Sequence, residues 1–261
     1  MQNLNYGVIG NCSTAALISE KGAIEWLCFP EFDSPSVFAA ILDRQKGGHF
    51  GFKVTSDYKV TQSYVPHTNI LSTHFESEEG AFDVVDFMPC YPTSDGKDFY
   101  RPAEIYRYIR WAKGRPRMKV DYRPAPNYAR GKTIYNVTSQ YVETYSSVEN
   151  KDRQYLYSSL DLKKVVNHDE ITLEKDEFFL FSFNEKVIPV DIEREKLEYC
   201  RTLVYWLNWT DHAKRYTRYN EVIERSMLVL KLMTYRNGAV MAAVTTSLPE
   251  TVGEGRNWDY R

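Results

Sequence analysis

The sequence is poor in the residues that build metal centres and covalent cross-links. It has four cysteines and five isolated histidines in 261 residues, with no Cys-x-x-Cys pair. Zinc sites and redox dithiols need such ligands at close spacing, so we expect no metal site and no cofactor. The cysteines are expected to stay reduced and to pack as small apolar residues; they are Cys12, Cys28, Cys90 and Cys200.

Charge excess, a leader peptide and long apolar runs are also missing. The 33 basic and 35 acidic residues leave a formal net charge of −2, whereas a nucleic-acid-binding domain carries a basic face. The opening MQNLNYGVIG lacks the basic and apolar regions of a secretory signal. No apolar run reaches the length of a membrane-spanning helix. We therefore expect a cytoplasmic protein with no nucleic-acid partner and no membrane partner.

Aromatic residues, by contrast, are abundant, with 20 tyrosines and 13 phenylalanines. These side chains suit pleated, half-buried surfaces. Up to about residue 188, runs such as GVIG, AALIS and AIEWLC alternate with turn sequences such as SEKG, SEEG and KGRP. The pattern predicts a large antiparallel β-sandwich. One short helix is expected where Ser34 can cap a turn that begins at Pro35.

A helical pattern begins near Val190. Residues 193–216 carry apolar side chains at helical spacing, which predicts a first helix; these are Leu197, Cys200, Val204 and Leu207. A second helix is expected over residues 219–236, where the run MLVLKLM is apolar on nearly every side. Such a helix needs cover all round, which predicts either self-association through it or a further part of the protein.

Both ends of the sequence carry long, unusual motifs. YGVIGNCSTAALISEKGAIEWLCFPEFDSPSVFAAILD resembles the opening of bacterial and archaeal family 15 glycoside hydrolases, the glucoamylase and trehalase-like group. SMLVLKLMTY and the closing VTTSLPETVGEGRNWDYR resemble the entry into the catalytic domain of that group. The resemblance covers residues 6–261 and is strongest at the two ends.

The resemblance implies a fold that agrees with the strand and helix patterns. The family has a super-β-sandwich, then an α-helical linker, then an (α/α)₆ catalytic barrel. On this sequence the parts would be a mainly β domain at 1–188, the linker at 189–237 and a truncated first barrel segment at 238–261. The chain would then be a truncated N-terminal domain, either deliberately shortened or a fragment of a longer gene product.

The resemblance also implies a function in carbohydrate metabolism. The family hydrolyses α-glucosidic bonds with inversion, using two glutamates, and both would lie beyond residue 261. We therefore expect no catalytic residue in this chain. Tyr260 matches a family tyrosine that lines the terminal glucose subsite, and it would bind substrate only in the full-length protein. Trp258, Asp259 and Arg261 are expected to hold that segment in place.

Carboxylates within the chain offer weaker candidates. Asp83 and Asp86 have an odd spacing in a strand, so they should point to opposite faces and cannot flank one bond. Glu25 and Glu31 have no better claim. Asp33 is expected to sit in a turn, the alternative being a place near the mouth of the barrel.

Three functions stay open. The first is a scaffold that packs on the missing C-terminal barrel of an enzyme acting on an α-glucan or a trehalose-type sugar. The second is a carbohydrate-binding β-sandwich that acts alone. The third is a protein-interaction module that uses the second helix. The sequence does not distinguish starch-type, isomaltose-type and trehalose substrates.

Overall fold

The structure, a computed structural model, describes residues 5–245 except 56, 150 and 189. Strands hold 39% of the residues and helices 16%, so the predicted mainly β class is confirmed. The strands are β1 Tyr6–Gly10, β2 Ala15–Ser19, β3 Ile24–Cys28, β4 Ser36–Phe38, β5 His49–Lys53, β6 Lys59–Tyr64, β7 Leu71–Ser77, β8 Gly80–Phe87, β9 Tyr91–Pro92, β10 Phe99–Tyr100, β11 Glu104–Gly114, β12 Arg117–Arg123, β13 Thr133–Val137, β14 Val142–Ser146, β15 Gln154–Ser158, β16 Glu170–Thr172 and β17 Glu177–Phe183. The helices are α1 Leu162–Asn167, α2 Ile192–Asp211 and α3 Asn220–Leu232.

The strands form two large open sheets in which neighbouring strands are antiparallel. The seven-stranded sheet has the order β1-β2-β3-β5-β12-β16, with β4 paired to β3, and the eight-stranded sheet has the order β13-β14-β15-β17-β11-β8-β7-β6. Strands β9 and β10 form a separate two-stranded hairpin. The predicted turns SEKG, SEEG and KGRP join β2 to β3, β7 to β8 and β11 to β12.

The two sheets share one aromatic core. Ring centroids of Phe38 and Phe181 are 5.5 Å apart, and those of Phe50 and Phe179 are 5.3 Å apart. In each pair one ring comes from the seven-stranded sheet and the other from the eight-stranded sheet. Edge-to-face and tilted contacts of this kind add to the stabilisation from buried area. The abundance of aromatic residues is therefore explained in large part by packing between the sheets.

A fully buried ion pair crosses this core. The Arg107 guanidinium donates from Nε to Asp86 Oδ1 at 2.7 Å and from Nη2 to Asp86 Oδ2 at 3.2 Å. It also donates to the backbone carbonyls of Phe50, at 2.6 Å, and of Gly22. Since Arg107 and Asp86 belong to the eight-stranded sheet and the two carbonyls to the β2–β3–β5 region, one side chain joins both sheets.

The other face of the eight-stranded sheet is covered by α2 and α3. Alternate residues of β8 serve the two faces: Phe82 and Val84 pack into the core between the sheets, whereas Val85 and Phe87 pack under the helices. All eight residues of β8 are buried. The molecule is therefore layered as sheet, sheet and helices.

Two expectations about helices are wrong. The segment after Ser34 does not form a helix, because Val37 and Phe38 are drawn into the core as strand β4, which pairs with β3. The Ser34 hydroxyl instead accepts a hydrogen bond from the Glu31 N–H at 3.1 Å. Helix α3 is not apolar on every side: Leu228 and Leu232 are buried, whereas the polar residues Glu221 and Ser226 are exposed, as is Leu230 at 58%.

We predict that Arg107→Ala lowers the free energy of unfolding by about 3–5 kcal/mol, because it leaves the Asp86 carboxylate buried without a cation. Urea unfolding measures the loss. Arg110→Ala is the control: Arg110 pairs with Asp83 at 2.8 Å but is more than half exposed, so its loss should cost at most about 1 kcal/mol. Equal losses in the two variants would contradict a special role for the buried pair.

Candidate interface on the helical layer

Helix α2 is anchored at its start by its own sequence. The Asp191 side chain accepts from the Arg194 N–H at 2.8 Å, and the acidic residues Glu193 and Glu195 occupy the first turn. A capping oxygen and negative charge at a helix N-terminus both satisfy unpaired N–H groups and favour the helix dipole. The helix therefore begins where the chain leaves the β layers.

Helix α2 turns its aliphatic side outward. The residues that predicted the helix form an exposed row, with Leu197 48% and Val204 63% exposed. We call this row the outer seam; it consists of Leu197, Cys200, Val204 and Leu207. The face on the sheet is instead polar and aromatic, and its buried residues are Glu195, Glu198, Thr202, Tyr205, Trp206 and Thr210.

A groove of about 1390 Å³ lies beside the outer seam. It runs between the β9–β10 hairpin, the length of α2 and one side of α3, and we call it the hairpin groove. Its lining is mainly apolar and aromatic, and includes Tyr91, Phe99, Tyr100, Val204, Trp209 and Met227. The outer seam and the groove together make a continuous surface on the helical layer, because Cys200 and Val204 belong to both.

The hairpin is tied to α2 by a charged contact. The Tyr91 hydroxyl donates to Glu198 Oε2 at 2.7 Å, and Arg201 Nη1 donates to Glu198 Oε1 at 3.2 Å. The Arg201 guanidinium also lies over the Tyr91 ring at 5.4 Å. Burial, together with the Glu198 charge, raises the pKa of Tyr91. The tyrosine therefore stays protonated and acts as a donor, which holds one wall of the groove in place.

Helix α3 is fixed to the β layers by side chains that satisfy backbone groups. Arg225 donates from Nη1 to the Thr68 carbonyl at 2.8 Å, and its guanidinium lies 3.9 Å from the Tyr64 ring centroid. Asn69 Nδ2 donates to the Leu228 carbonyl at 3.0 Å. Since both helices are held at several points, the groove between them is a formed surface.

After α3 the chain returns to strand β3 and to the loop that follows β3. Trp26 Nε1 donates to the Val244 carbonyl at 2.8 Å, and the Arg236 guanidinium lies 3.2 Å from Glu31. The fold thus brings together the two segments that carry the family resemblance, the loop around Glu31 and the chain after α3. Asp33 in this loop is exposed. Tyr260, like Trp258, Asp259 and Arg261, lies outside the described residues.

The candidate carboxylates are not brought together in a catalytic pair. Asp83 contacts Arg110 and His74, whereas Asp86 faces the core between the sheets and pairs with Arg107. The predicted opposite faces are confirmed. Glu25 accepts from the Tyr6 hydroxyl at 2.5 Å.

Within the described residues, no group of three or more His, Cys, Asp or Glu side chains is placed to hold a metal ion. None of the helices there combines the length and apolarity needed to cross a membrane. The four cysteines form no disulfide among the described residues, and Cys200 is exposed whereas Cys12, Cys28 and Cys90 are buried.

Comparison with known proteins identifies the β layers. The family model for the trehalase-like N-terminal domain matches residues 5–150. The chain belongs to this family. The match reaches from β1 past β14, and therefore includes most of both large sheets.

Whole-chain comparisons of this trehalase-like chain point the same way. It is 32% identical over 255 residues to the trehalase of Thermoplasma acidophilum, covering 94% of this chain and 42% of that protein. It is 34% identical over 263 residues to trehalase 1 of Sulfolobus acidocaldarius and 29% identical over 288 residues to the trehalase of Mycolicibacterium smegmatis, each time covering 98% of this chain and 42% of the relative. The chain thus spans about two fifths of the length of these curated relatives. The matches fit an N-terminal region of the family 15 trehalase and glucoamylase group, so the resemblance found in the sequence is confirmed.

The sequence pattern did not predict which face of α2 is buried, and it did not predict the β9–β10 hairpin. The hairpin strands have two residues each, Tyr91–Pro92 and Phe99–Tyr100, which is too short for a period to emerge. The aromatic pair Tyr205 and Trp206 was the available signal for the inner face, because the largest side chains of a helix gain most from burial.

We predict that polar substitutions on the outer seam leave the isolated chain folded. Leu197→Gln and Val204→Gln should each change the free energy of unfolding by less than about 0.5 kcal/mol, because exposed sites contribute little. Trp206→Ala on the inner face should lower it by about 3–5 kcal/mol. Chemical unfolding measures all three. A large loss for the outer seam variants and a small one for Trp206→Ala would reverse the assignment of the faces.

Proposed function

We propose that this chain is a non-catalytic N-terminal portion of an α-glucosidic-bond hydrolase, and that it supports a C-terminal catalytic barrel. Membership of the trehalase-like family supports the class of enzyme. The coverage of 42% of the relatives' length leaves room for a further domain of larger size. In this proposal residues 1–188 form the sandwich, 189–237 the linker and 238–261 the first segment of an (α/α)₆ barrel.

The outward-facing seam of α2 carries the proposal. An aliphatic row on a helix normally faces the core of its own domain, and contiguous apolar patches on a protein surface mark interaction sites. Here the row lies beside an apolar groove of about 1390 Å³. We assign this combined surface to contact with the C-terminal domain, which would bury Val204 and Leu207 and fill the groove.

Catalysis is assigned to the C-terminal domain for a chemical reason. Inverting hydrolysis needs one carboxylic acid and one carboxylate about 6.5–9.5 Å apart across the scissile bond. The carboxylates considered from the sequence are engaged elsewhere: Asp86 with Arg107, Asp83 with Arg110, Glu31 with Arg236 and Glu25 with Tyr6. Tyr260 remains our candidate for contact with the terminal sugar in the complete enzyme.

Trehalose is the substrate that the relatives favour, because the proteins matched over nearly the whole chain are named trehalases. An α-glucan is the alternative, and the subsites that decide would lie in the C-terminal domain. A cytoplasmic location is part of the proposal, and four cysteines that form no disulfide among the described residues fit it.

A chimera tests the scaffold role directly. This chain would replace the matching 42% of the Thermoplasma acidophilum trehalase, and glucose release from trehalose would be measured. We expect an active chimera, and at least tenfold less activity after Leu197→Lys plus Val204→Lys, because two charges would be buried at the interface. Trp111→Lys is the matched control: Trp111 is partly exposed on β11, outside the proposed surface, and its substitution should leave the activity unchanged.

Two outcomes would contradict the proposal. Full activity and stability of the relative's remaining portion, produced with no N-terminal region, would remove the need for a scaffold. Equal activity of the Lys variants and the parent chimera would remove the docking surface. Titration of the isolated chain with trehalose and maltooligosaccharides separates the carbohydrate-binding alternative, which requires measurable heat, and light scattering separates the self-associating module, which requires a dimer.

A further inference from the structure

One carboxyl group under α2 has no hydrogen-bond partner among the described residues. Glu195 is 1% exposed, and neither of its carboxyl oxygens has a hydrogen-bond partner among the described residues. A further group on the same inner face, the hydroxyl of Thr202, is also buried without a partner among the described residues. An ionised carboxylate in such a place costs several kcal/mol unless a cation or donors compensate it. The helix therefore packs on the sheet around an acid with no counter-ion.

The charged groups near Glu195 are mostly acidic. Its electrostatic neighbours on the sheet are Asp86 of β8 and Glu104 of β11, and on α2 itself Glu198 and Arg194. Each neighbouring acid already has its own partner. Asp86 pairs with Arg107, and Glu198 accepts from Tyr91 and Arg201.

The remaining neighbours do not supply a cation either. Glu104 accepts from the Tyr106 hydroxyl at 2.9 Å and lies 3.9 Å from Arg194, which itself donates to Tyr106 at 3.2 Å. The Tyr108 hydroxyl interacts electrostatically with Glu195, but it donates its hydrogen bond to Asp176. Strands β17 and β9 both pack against α2. The titratable residue of β17 is the buried acid Glu177, and that of β9 is Tyr91. Arg194 is the cation among the main electrostatic neighbours of Glu195, and it is shared with Glu104 and Tyr106.

This placement favours the neutral form of the acid. Burial first, and then the charges of Asp86, Glu104 and Glu198, raise the pKa of Glu195 well above its ordinary value of 4.5. The Arg194 charge opposes the shift without reversing it. In the folded protein the carboxyl group keeps its proton at pH values where a free glutamate has lost it.

We propose that Glu195 is a proton-dependent latch: its neutral carboxyl group lets α2 pack on the eight-stranded sheet, and its ionisation loosens the helix. The sign follows from linkage. At pH values below the ordinary pKa of a glutamate, the folded and unfolded chains both carry the proton, and there is no penalty. Above that value only the unfolded chain releases it, so the stability of the fold decreases with rising pH until the folded protein also ionises.

The latch goes beyond the proposed function, because it concerns how α2 is held and not what covers it. If the outer seam does contact a catalytic domain, rising pH would weaken that contact as well. This second consequence rests on the proposed function. The experiment below therefore measures the stability of α2 in the isolated chain. A negative result for the latch then leaves the docking surface untouched, and the reverse also holds.

Glu195→Gln tests the latch, with Glu193→Gln as the matched control. Both glutamates lie in the first turn of α2, but Glu193 is exposed. The unfolding equilibrium constant of Glu195→Gln, divided by that of the parent, should fall by up to about tenfold per pH unit between about pH 5 and pH 8. At pH 4 the unfolding equilibrium constants of the variant and the parent should agree. Glu193→Gln should follow the parent at every pH.

Hydrogen exchange of the parent chain gives a second measurement of the stability of α2, and it needs no variant. Protection factors, which remove the intrinsic pH dependence of exchange, should fall in α2 between pH 5 and pH 9 while those of β8 and β17 stay constant. If Glu195→Gln does not fold, this titration alone decides. Flat protection of α2 over that range, or a Glu195→Gln profile parallel to that of the parent, would overturn the latch.

Discussion

The central strands of the eight-stranded sheet are buried on both faces, and this constraint determines what the rest of the molecule must do. Every residue of β8 and of β17 is buried. One face is covered by the seven-stranded sheet, and the other requires the helical layer. Helix α2 fills that role with Tyr205 and Trp206, so its aliphatic side has no place in the core. The outer seam follows from the demands of the sheet, and it becomes the surface available to another domain.

Two buried acids on opposite faces of this sheet, Asp86 and Glu195, are stabilised in different ways. Burial raises the pKa of Asp86, but the Arg107 guanidinium opposes this rise and also satisfies carbonyls of the facing sheet, so the pair holds the two sheets in one arrangement. Glu195 has no such partner and is accommodated by keeping its proton. Since Asp86 is also an electrostatic neighbour of Glu195, the buried pair on one face raises the cost of ionisation on the other. Buried charge thus specifies the packing of the sheets, whereas a buried neutral acid makes the packing of α2 conditional.

The sequence contained enough to predict most of the strands, several of the turns between them and both long helices, but not β4, the β9–β10 hairpin or the short helix α1. Period-two apolar runs and glycine-containing turns report local structure, and Gly114 at the predicted KGRP turn indeed has a positive φ of 69°. The predicted helix after Ser34 failed because pairing of Phe38 with Leu27 outweighed a local capping signal. Which face of α2 would be buried could not be predicted, since periodicity identifies an aliphatic stripe but not the partner that covers it. The sugar-binding role of Tyr260 rests on the family motif alone.

Cysteine labelling offers the most direct measurement of whether the outer seam is a docking surface. Cys200 lies in the seam and is exposed, whereas Cys12, Cys28 and Cys90 are buried, so a maleimide should modify one thiol of the native isolated chain. We expect that thiol to react at least tenfold more slowly once the chain is joined to the C-terminal portion of a trehalase relative. An unchanged labelling rate in the joined protein would contradict the assignment of this surface.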